Sequence, residues 1–190
     1  MTAPLHSDSP TGLGCARYSR RPFPSYRFVP GQNPHPTADP RGHSYQPPGH
    51  PGEPPFPVDP QAWDRCEPYL YAVDLYNHGY WWEAHESWES VWQLTDKAGV
   101  QGRFLQGLIQ SGACHLKIHL GKPEGVERLR RTSVGHLRWV LERLRVGAFM
   151  GIQLAELAVA LETYFDLCVG DGTAIQHHLQ DYPFIRLISS

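Results

Sequence analysis

Long hydrophobic runs are missing from this chain. Nowhere do about eighteen apolar residues follow one another, which argues against a membrane-spanning helix. A basic excess is missing as well: 17 Lys and Arg stand against 19 Asp and Glu, a formal net charge of −2. A general nucleic-acid binder would carry a clear positive balance, so neither a membrane nor a nucleic acid is an expected partner. Cysteines are few and scattered. Cys15, Cys66, Cys114 and Cys168 form no C-x-x-C pair, which excludes a zinc ribbon or disulfide framework. The opening Met1-Thr2-Ala3-Pro4-Leu5-His6 has neither a charged start nor an apolar stretch, so no secretory signal is expected and reduced thiols in a cytoplasmic protein are the plain reading. Glycine-rich phosphate loops, G-x-S-x-G elbows and strand-like alternation are absent too.

What is present divides at Asp59-Pro60. Fifteen of the 18 prolines lie in residues 1–60, and proline removes the backbone donor that helices and central strands require. Residues 1–20 are expected to be disordered, and 21–60 to form a proline-rich extended arm. The aromatic anchors Tyr26, Phe28 and Tyr45 favour an arm that packs, since disordered linkers are poor in such residues; a flexible tail is the alternative on composition. Residues 61–170 read as the helical domain, and 171–190 as a C-terminal tail laid across it.

Within the domain, Asp59-Pro60 resembles a helix start. The first helix is predicted to run to about Asn77, kinked at Pro68 and closed by Gly79. Further helices are predicted over Tyr80–Leu94, Val100–Leu120, Lys122–Arg145 and Gly151–Cys168. Short connections favour antiparallel neighbours, so the fold class is all-α: an antiparallel bundle of about five helices behind the arm.

Helical spacing assigns the faces. On the second helix, Tyr80, Trp81, Ala84, Trp88, Val91 and Trp92 share a broad apolar stripe. His85 lies at its edge with Glu89 just beyond, while Glu83, Glu86 and Ser90 lie on the other side. On the third, Phe104, Leu105, Leu108, Ile109 and Leu116 form the stripe, and His115 and His119 fall inside it. Arg128, Arg131, Arg138 and Arg145 mix with Glu124, Glu127 and Glu142 on the fourth helix, an ordinary solvated face with local ion pairs.

Two groups of residues could carry chemistry. His85-Glu86-Ser87-Trp88-Glu89 begins like the zinc-protease H-E-x-x-H but ends in glutamate, and His85 and Glu89 at i,i+4 could bind one ion. His115 and His119 are an i,i+4 histidine pair on the next helix, so a divalent-metal site built from His85, Glu89, His115 and His119 is sterically conceivable. The Glu-x-x-His pairs of ferritin-like di-metal proteins do not occur. His35 and His43, in the arm, could complete a site from above. Gln106 and Gln110, beside Gly107 and Gly112, fit close helix packing with amide hydrogen bonds across the interface.

The run Asn77-His78-Gly79-Tyr80-Trp81-Trp82-Glu83-Ala84-His85-Glu86-Ser87-Trp88-Glu89-Ser90-Val91-Trp92, followed by Gln106-Gly107-Leu108-Ile109-Gln110, closely resembles the family called domain of unknown function 309, over roughly residues 65–145. The resemblance implies a compact all-α fold and no particular activity. Its motif transfers to Asn77, Gly79, Glu83, Ala84, His85, Glu86, Trp88, Glu89, Trp92, Gln106, Gly107 and Gln110.

Two functions remain open. One is a non-catalytic binding module, with a polar His/Glu/Gln network between helices two and three and binding residues Glu83, Trp82, Trp88, Gln106 and Gln110. There Trp82, on the polar side of its helix, would face a protein partner or a second copy. The other is a metal-dependent, hydrolase-like or small-ligand enzyme using His85 with Glu86 or Glu89 for proton transfer.

Overall fold

The computed structural model describes residues 15–50, 54–55, 57–122, 124–169 and 182–188. Five helices carry it: α1 (Glu67–Asn77), α2 (Trp81–Trp92), α3 (Val100–His119), α4 (Val126–Leu144) and α5 (Leu154–Val169). Consecutive helices are neighbours in space, α1 against α2, α2 against α3, α3 against α4 and α4 against α5. The all-α bundle is the fold. No helix among the described residues is long and apolar enough to cross a membrane.

Proline and glycine punctuate the helices, with one shift. Asp59-Pro60 does not open α1. The Asp59 carboxylate instead accepts from the Gln61 N–H in a turn, a short 3-10 turn follows at Trp63–Arg65, and α1 starts at Glu67 with Pro68 in its first turn. A proline inside a helix removes a hydrogen bond and collides with the preceding turn, whereas in the first turn its missing N–H costs nothing. Pro68 therefore sets the start where a kink was expected. At the other end Gly79 takes φ +76°, and the Tyr80 N–H reaches back to the Leu75 carbonyl, the left-handed closure that glycine permits.

One buried cluster forms the core, with Tyr69, Tyr76, Trp88, Phe104, Leu108, Leu137, Leu154 and Phe165 at its centre. The helices α3 and α4 approach closely at Gly107. A Cβ there would lie 3.0 Å from the Leu137 side chain, and Ser133 Oγ donates to the Gly107 carbonyl at 2.9 Å.

A small hairpin, unforeseen in the sequence, joins α4 to α5: β1 (Ala148–Phe149) pairs antiparallel with β2 (Ile152–Gln153). Its turn residues Met150 and Gly151 both have positive φ, as a two-residue hairpin turn demands. α5 accordingly begins at Leu154 rather than at Gly151. The described end of the chain crosses the bundle in extended form. Ile152 bridges to Leu187, and Asn77 brackets Ile185, its Nδ2 donating to the Ile185 carbonyl and its Oδ1 accepting the Ile185 N–H.

Residues 15–20 were grouped in the sequence with a disordered start, and they are held against α1. The carboxylate of Asp74, fully buried, accepts from the N–H groups of Tyr18 and Ser19 and from Arg17 Nε. The remainder of that start, 1–14, lies outside the described residues, as do 171–181 and 189–190 of the tail.

Candidate functional site

The arm runs from the Asp74 clamp over the polar side of α2. Tyr71 donates its hydroxyl proton to the Pro22 carbonyl at 2.9 Å, and Phe23 stacks on Tyr80 with ring centroids 5.0 Å apart. Further along, Phe28 and His35 both pack edge-on against Trp82. Trp82 thus lies half-buried beneath the arm instead of standing in an exposed patch. Tyr26 ties the arm to itself: its hydroxyl donates to the Pro34 carbonyl and accepts the His43 N–H.

That tie carries His43 down onto Glu83. His43 Nε2 lies 3.0 Å from Glu83 Oε1, and each side chain is only 5% exposed. The Phe28 N–H donates to the same Oε1 at 2.7 Å. His43 Nδ1 lies 2.8 Å from Ser44 Oγ. A ring nitrogen on each side thus has an oxygen partner, Ser44 at Nδ1 and Glu83 at Nε2. Burial pushes the Glu83 carboxyl above the usual carboxylate range, and hydrogen bonding from its own backbone N–H, from His43 and from the Phe28 N–H pulls back against that shift. Oε2 of Glu83 is buried and has no hydrogen-bond partner among the described residues.

Beside this pair lies a cavity of about 350 Å³ between the arm, α1 and α2, with Glu83, Glu86, Trp82, Tyr71, His43 and Arg21 among its walls. Three of its hydroxyls already donate to backbone carbonyls. Ser87 spends its hydroxyl proton on the Pro68 carbonyl, Ser90 on that of Ser87, and Tyr71 on that of Pro22.

His85 stands at the edge of the same helix. Its Nδ1 is 3.2 Å from Glu86 Oε1 and 3.9 Å from Glu89 Oε2, and one ligand atom from each of the three lies within 4.8 Å of the others. All three side chains are partly exposed, at 29%, 46% and 37%. One imidazole and two carboxylates are suitable ligands for a divalent ion whose remaining positions water would fill.

His115 and His119 do not join them. His115 is fully buried, with Nε2 2.8 Å from the Tyr76 hydroxyl and its ring stacked on Trp81 at 5.3 Å. His119 packs edge-on against Trp81 at 5.8 Å, and burial lowers its pKa. Both residues lie inside the apolar stripe of α3, so they face the aromatic core, and the four-residue metal set is not assembled. Of the residues of the expected network between α2 and α3, Glu83 bonds to the arm, His85 to Glu86, and His115 to Tyr76 of α1 while its ring stacks on Trp81 of α2.

Of the remaining binding candidates, Trp88 is wholly core, packed on Tyr76. Gln106 and Gln110 are half-buried, neither borders the cavity, and Gln110 Oε1 has no partner among the described residues. Sequence reasoning passed over Asp74. Its signal is a lone carboxylate within the otherwise apolar run Tyr71-Ala72-Val73-Asp74-Leu75-Tyr76, since buried acids are rare unless paired.

No curated protein and no solved structure matches the chain. The family described as Domain of unknown function (DUF309) matches residues 69–129, a span that contains most of α1, all of α2 and α3 and the start of α4, with Asp74, Asn77, Glu83 and the His85 cluster inside it. The arm, α5 and the tail lie outside the span. Residues 69–129 are thus similar to the domain of unknown function 309 family, and it is this helical segment that supplies the polar groups holding the flanking chain.

Proposed function

We propose that this chain is a non-catalytic binding module whose ligand is a small polar molecule held in the cavity between the arm and α2. The observation behind this reading is Glu83. A buried carboxylate normally has both oxygens satisfied, because an unpaired buried acceptor costs about 1–3 kcal/mol. Here Oε1 has two donors and Oε2 has none, beside a space large enough for a small metabolite. Pockets with apolar walls and a few convergent polar groups are the usual form of ligand sites. The indole N–H resonance of Trp82 should shift when a panel of small amines, carboxylates and amides is titrated into the protein. The shift should disappear in Ser90→Phe, which fills the cavity. Silence across the whole panel at millimolar concentration sinks the reading.

A second reading rests on the short separations within His85, Glu86 and Glu89. A divalent ion there would stand next to the cavity through Glu86, which borders both, and would support a metal-dependent reaction with His85 or a glutamate moving the proton. Metal content per chain, measured by mass spectrometry on untagged protein, decides it: near-stoichiometric metal lost in His85→Ala supports the ion, and metal-free wild type rejects it.

A further inference from the structure

Resting on the binding-module reading, we infer that the ligand of the cavity carries an ammonium group, whose N–H donates to Glu83 Oε2 while its charge is shared with Glu86 and the face of Trp82 or Tyr71.

Three features of the cavity argue for a cation over a neutral or anionic ligand. The first is the acceptor left over on Glu83, whose side chain is 5% exposed and whose Oε1 is already occupied by the Phe28 N–H and His43. A charged donor satisfies such a group best, since charge-assisted hydrogen bonds are about twice as strong as neutral ones. The second is the shortage of protons in the lining. The hydroxyls of Tyr71, Ser87 and Ser90 are committed to backbone carbonyls, so each can offer a ligand only lone pairs. Among the described lining, a carboxylate or carbonyl ligand would find donors in Arg21 and the Trp82 indole but none in these hydroxyls. The third is the aromatic wall, because the negative face of a ring attracts cations. The Tyr71 ring already shows this on its own chain: the Arg21 guanidinium lies over it, 4.9 Å from the centroid.

Arg21 is the one arginine or lysine among the described residues of the cavity wall and the natural objection. As the anchor, it would select an anion. Its charge is outnumbered by Glu83 and Glu86, however, and it sits against the ring of Tyr71 and not against the vacant oxygen of Glu83. A compact ammonium, smaller than a guanidinium and freely rotating, fits the remaining acceptor.

The test is calorimetric titration of the full chain near neutral pH with three probes of one length and different heads: butylammonium, butanamide and butyrate. Butylammonium should bind in preference. Glu83→Gln should weaken it by about tenfold or more, the loss of one charge-assisted hydrogen bond. That variant keeps an acceptor oxygen for His43 and Phe28, and its helical content is checked by circular dichroism. Glu86→Gln, at an exposed position, should weaken butylammonium by a smaller factor and serves if Glu83→Gln does not fold. Butanamide binding as well as butylammonium would mean that a neutral N–H donor satisfies Glu83 Oε2, which overturns the cation and leaves the pocket standing. Butyrate binding in preference, abolished by Arg21→Ala, would also overturn the cation. If no probe binds and the wider panel is silent too, the pocket reading falls and this inference with it.

Discussion

The carboxylates of α1 and α2 and those on the α4–α5 face are chemically the same and do different things. Asp74 and Glu83 are buried, and their oxygens take donors from the arm: two backbone N–H groups and Arg17 for Asp74, one N–H and His43 for Glu83. Across the bundle, Glu127 and Asp166 pair with Arg130, and Glu162 pairs with Arg138, where water reaches both partners. Water solvates the second set whether or not the pairs form, so those pairs gain little. Apart from Glu83's own N–H, the donors to the first set among the described residues come from the arm. Burying a charge is costly unless its partners are in place, and that cost makes the arm's course obligatory. Asp74 and Glu83 thus act as sockets, set within the family's span, for chain that lies outside it.

Breaking the deepest socket should do the most damage. Asp74→Ala strands the Tyr18 and Ser19 N–H groups and takes the acid partner from Arg17, and is expected to cost about 3 kcal/mol or more, in the range for breaking a buried charged network. Urea unfolding measures this, and limited trypsin digestion at Arg17 and Arg20 should accelerate as the arm loosens. A loss below about 0.5 kcal/mol, typical of surface substitutions, would mean that the arm is held elsewhere. Asn77→Ala comes next. It removes both amide hydrogen bonds to Ile185 but leaves the Asn77 carbonyl that accepts from Tyr182. A loss of about 2 kcal/mol is expected for two buried hydrogen bonds, with loss of hydrogen-exchange protection at the Ile185 amide. Full protection there would mean that the bridge from Ile152 to Leu187 holds the tail unaided.

The same contrast explains what could be read from the sequence. Helical periodicity separates the two faces of a helix, and it placed Phe104, Leu105 and Leu108 in the core, where they are fully buried. Gly79 and Gly121 mark helix ends because left-handed backbone is cheap only for glycine, and both have positive φ. Periodicity does not say what covers the second face. It set Glu83 correctly apart from the apolar stripe of α2, yet the group covering Glu83 comes from 40 residues earlier in the chain, and no local pattern encodes that pairing. His43 was visible only as an arm histidine able to close a site from above. The hairpin at Met150-Gly151 escaped notice for a simpler reason: strands of two residues are too short to alternate, and methionine is not a usual residue for positive φ.

Glu83 offers a finer test of burial. Its carboxyl is pushed above the ordinary value of 4.5 by burial, so the folded protein holds that proton more tightly than the unfolded chain does. The associated stability is fully present below the ordinary value and is lost as pH rises through the raised one. Wild type should therefore lose stability relative to Glu83→Gln as pH climbs from about 4.5 toward neutral, read as the difference in Tm between the two at each pH. A difference moving the other way would show that His43 is held as a cation in the fold and that the pair is ionic, which would make the arm-side socket a salt bridge like the one at Asp74.

The smallest effect should come from the solvated face. Arg138→Ala removes the pair with Glu162, whose side chains are 50% and 42% exposed. Stability is expected to change by no more than about 0.5 kcal/mol, and added salt should erase most of that by screening. The pair does join α4 to α5, and Arg130 joins the same two helices one stripe away. A loss above about 1 kcal/mol would therefore have a definite meaning: the two arginines and their acids act as one network that fixes how α5 docks. Repeating the measurement in an Arg130→Ala background separates the outcomes, because independent surface pairs add and a network does not. Additivity would leave the bundle with one face where charge determines the path of the chain and another where charge merely keeps it wetted.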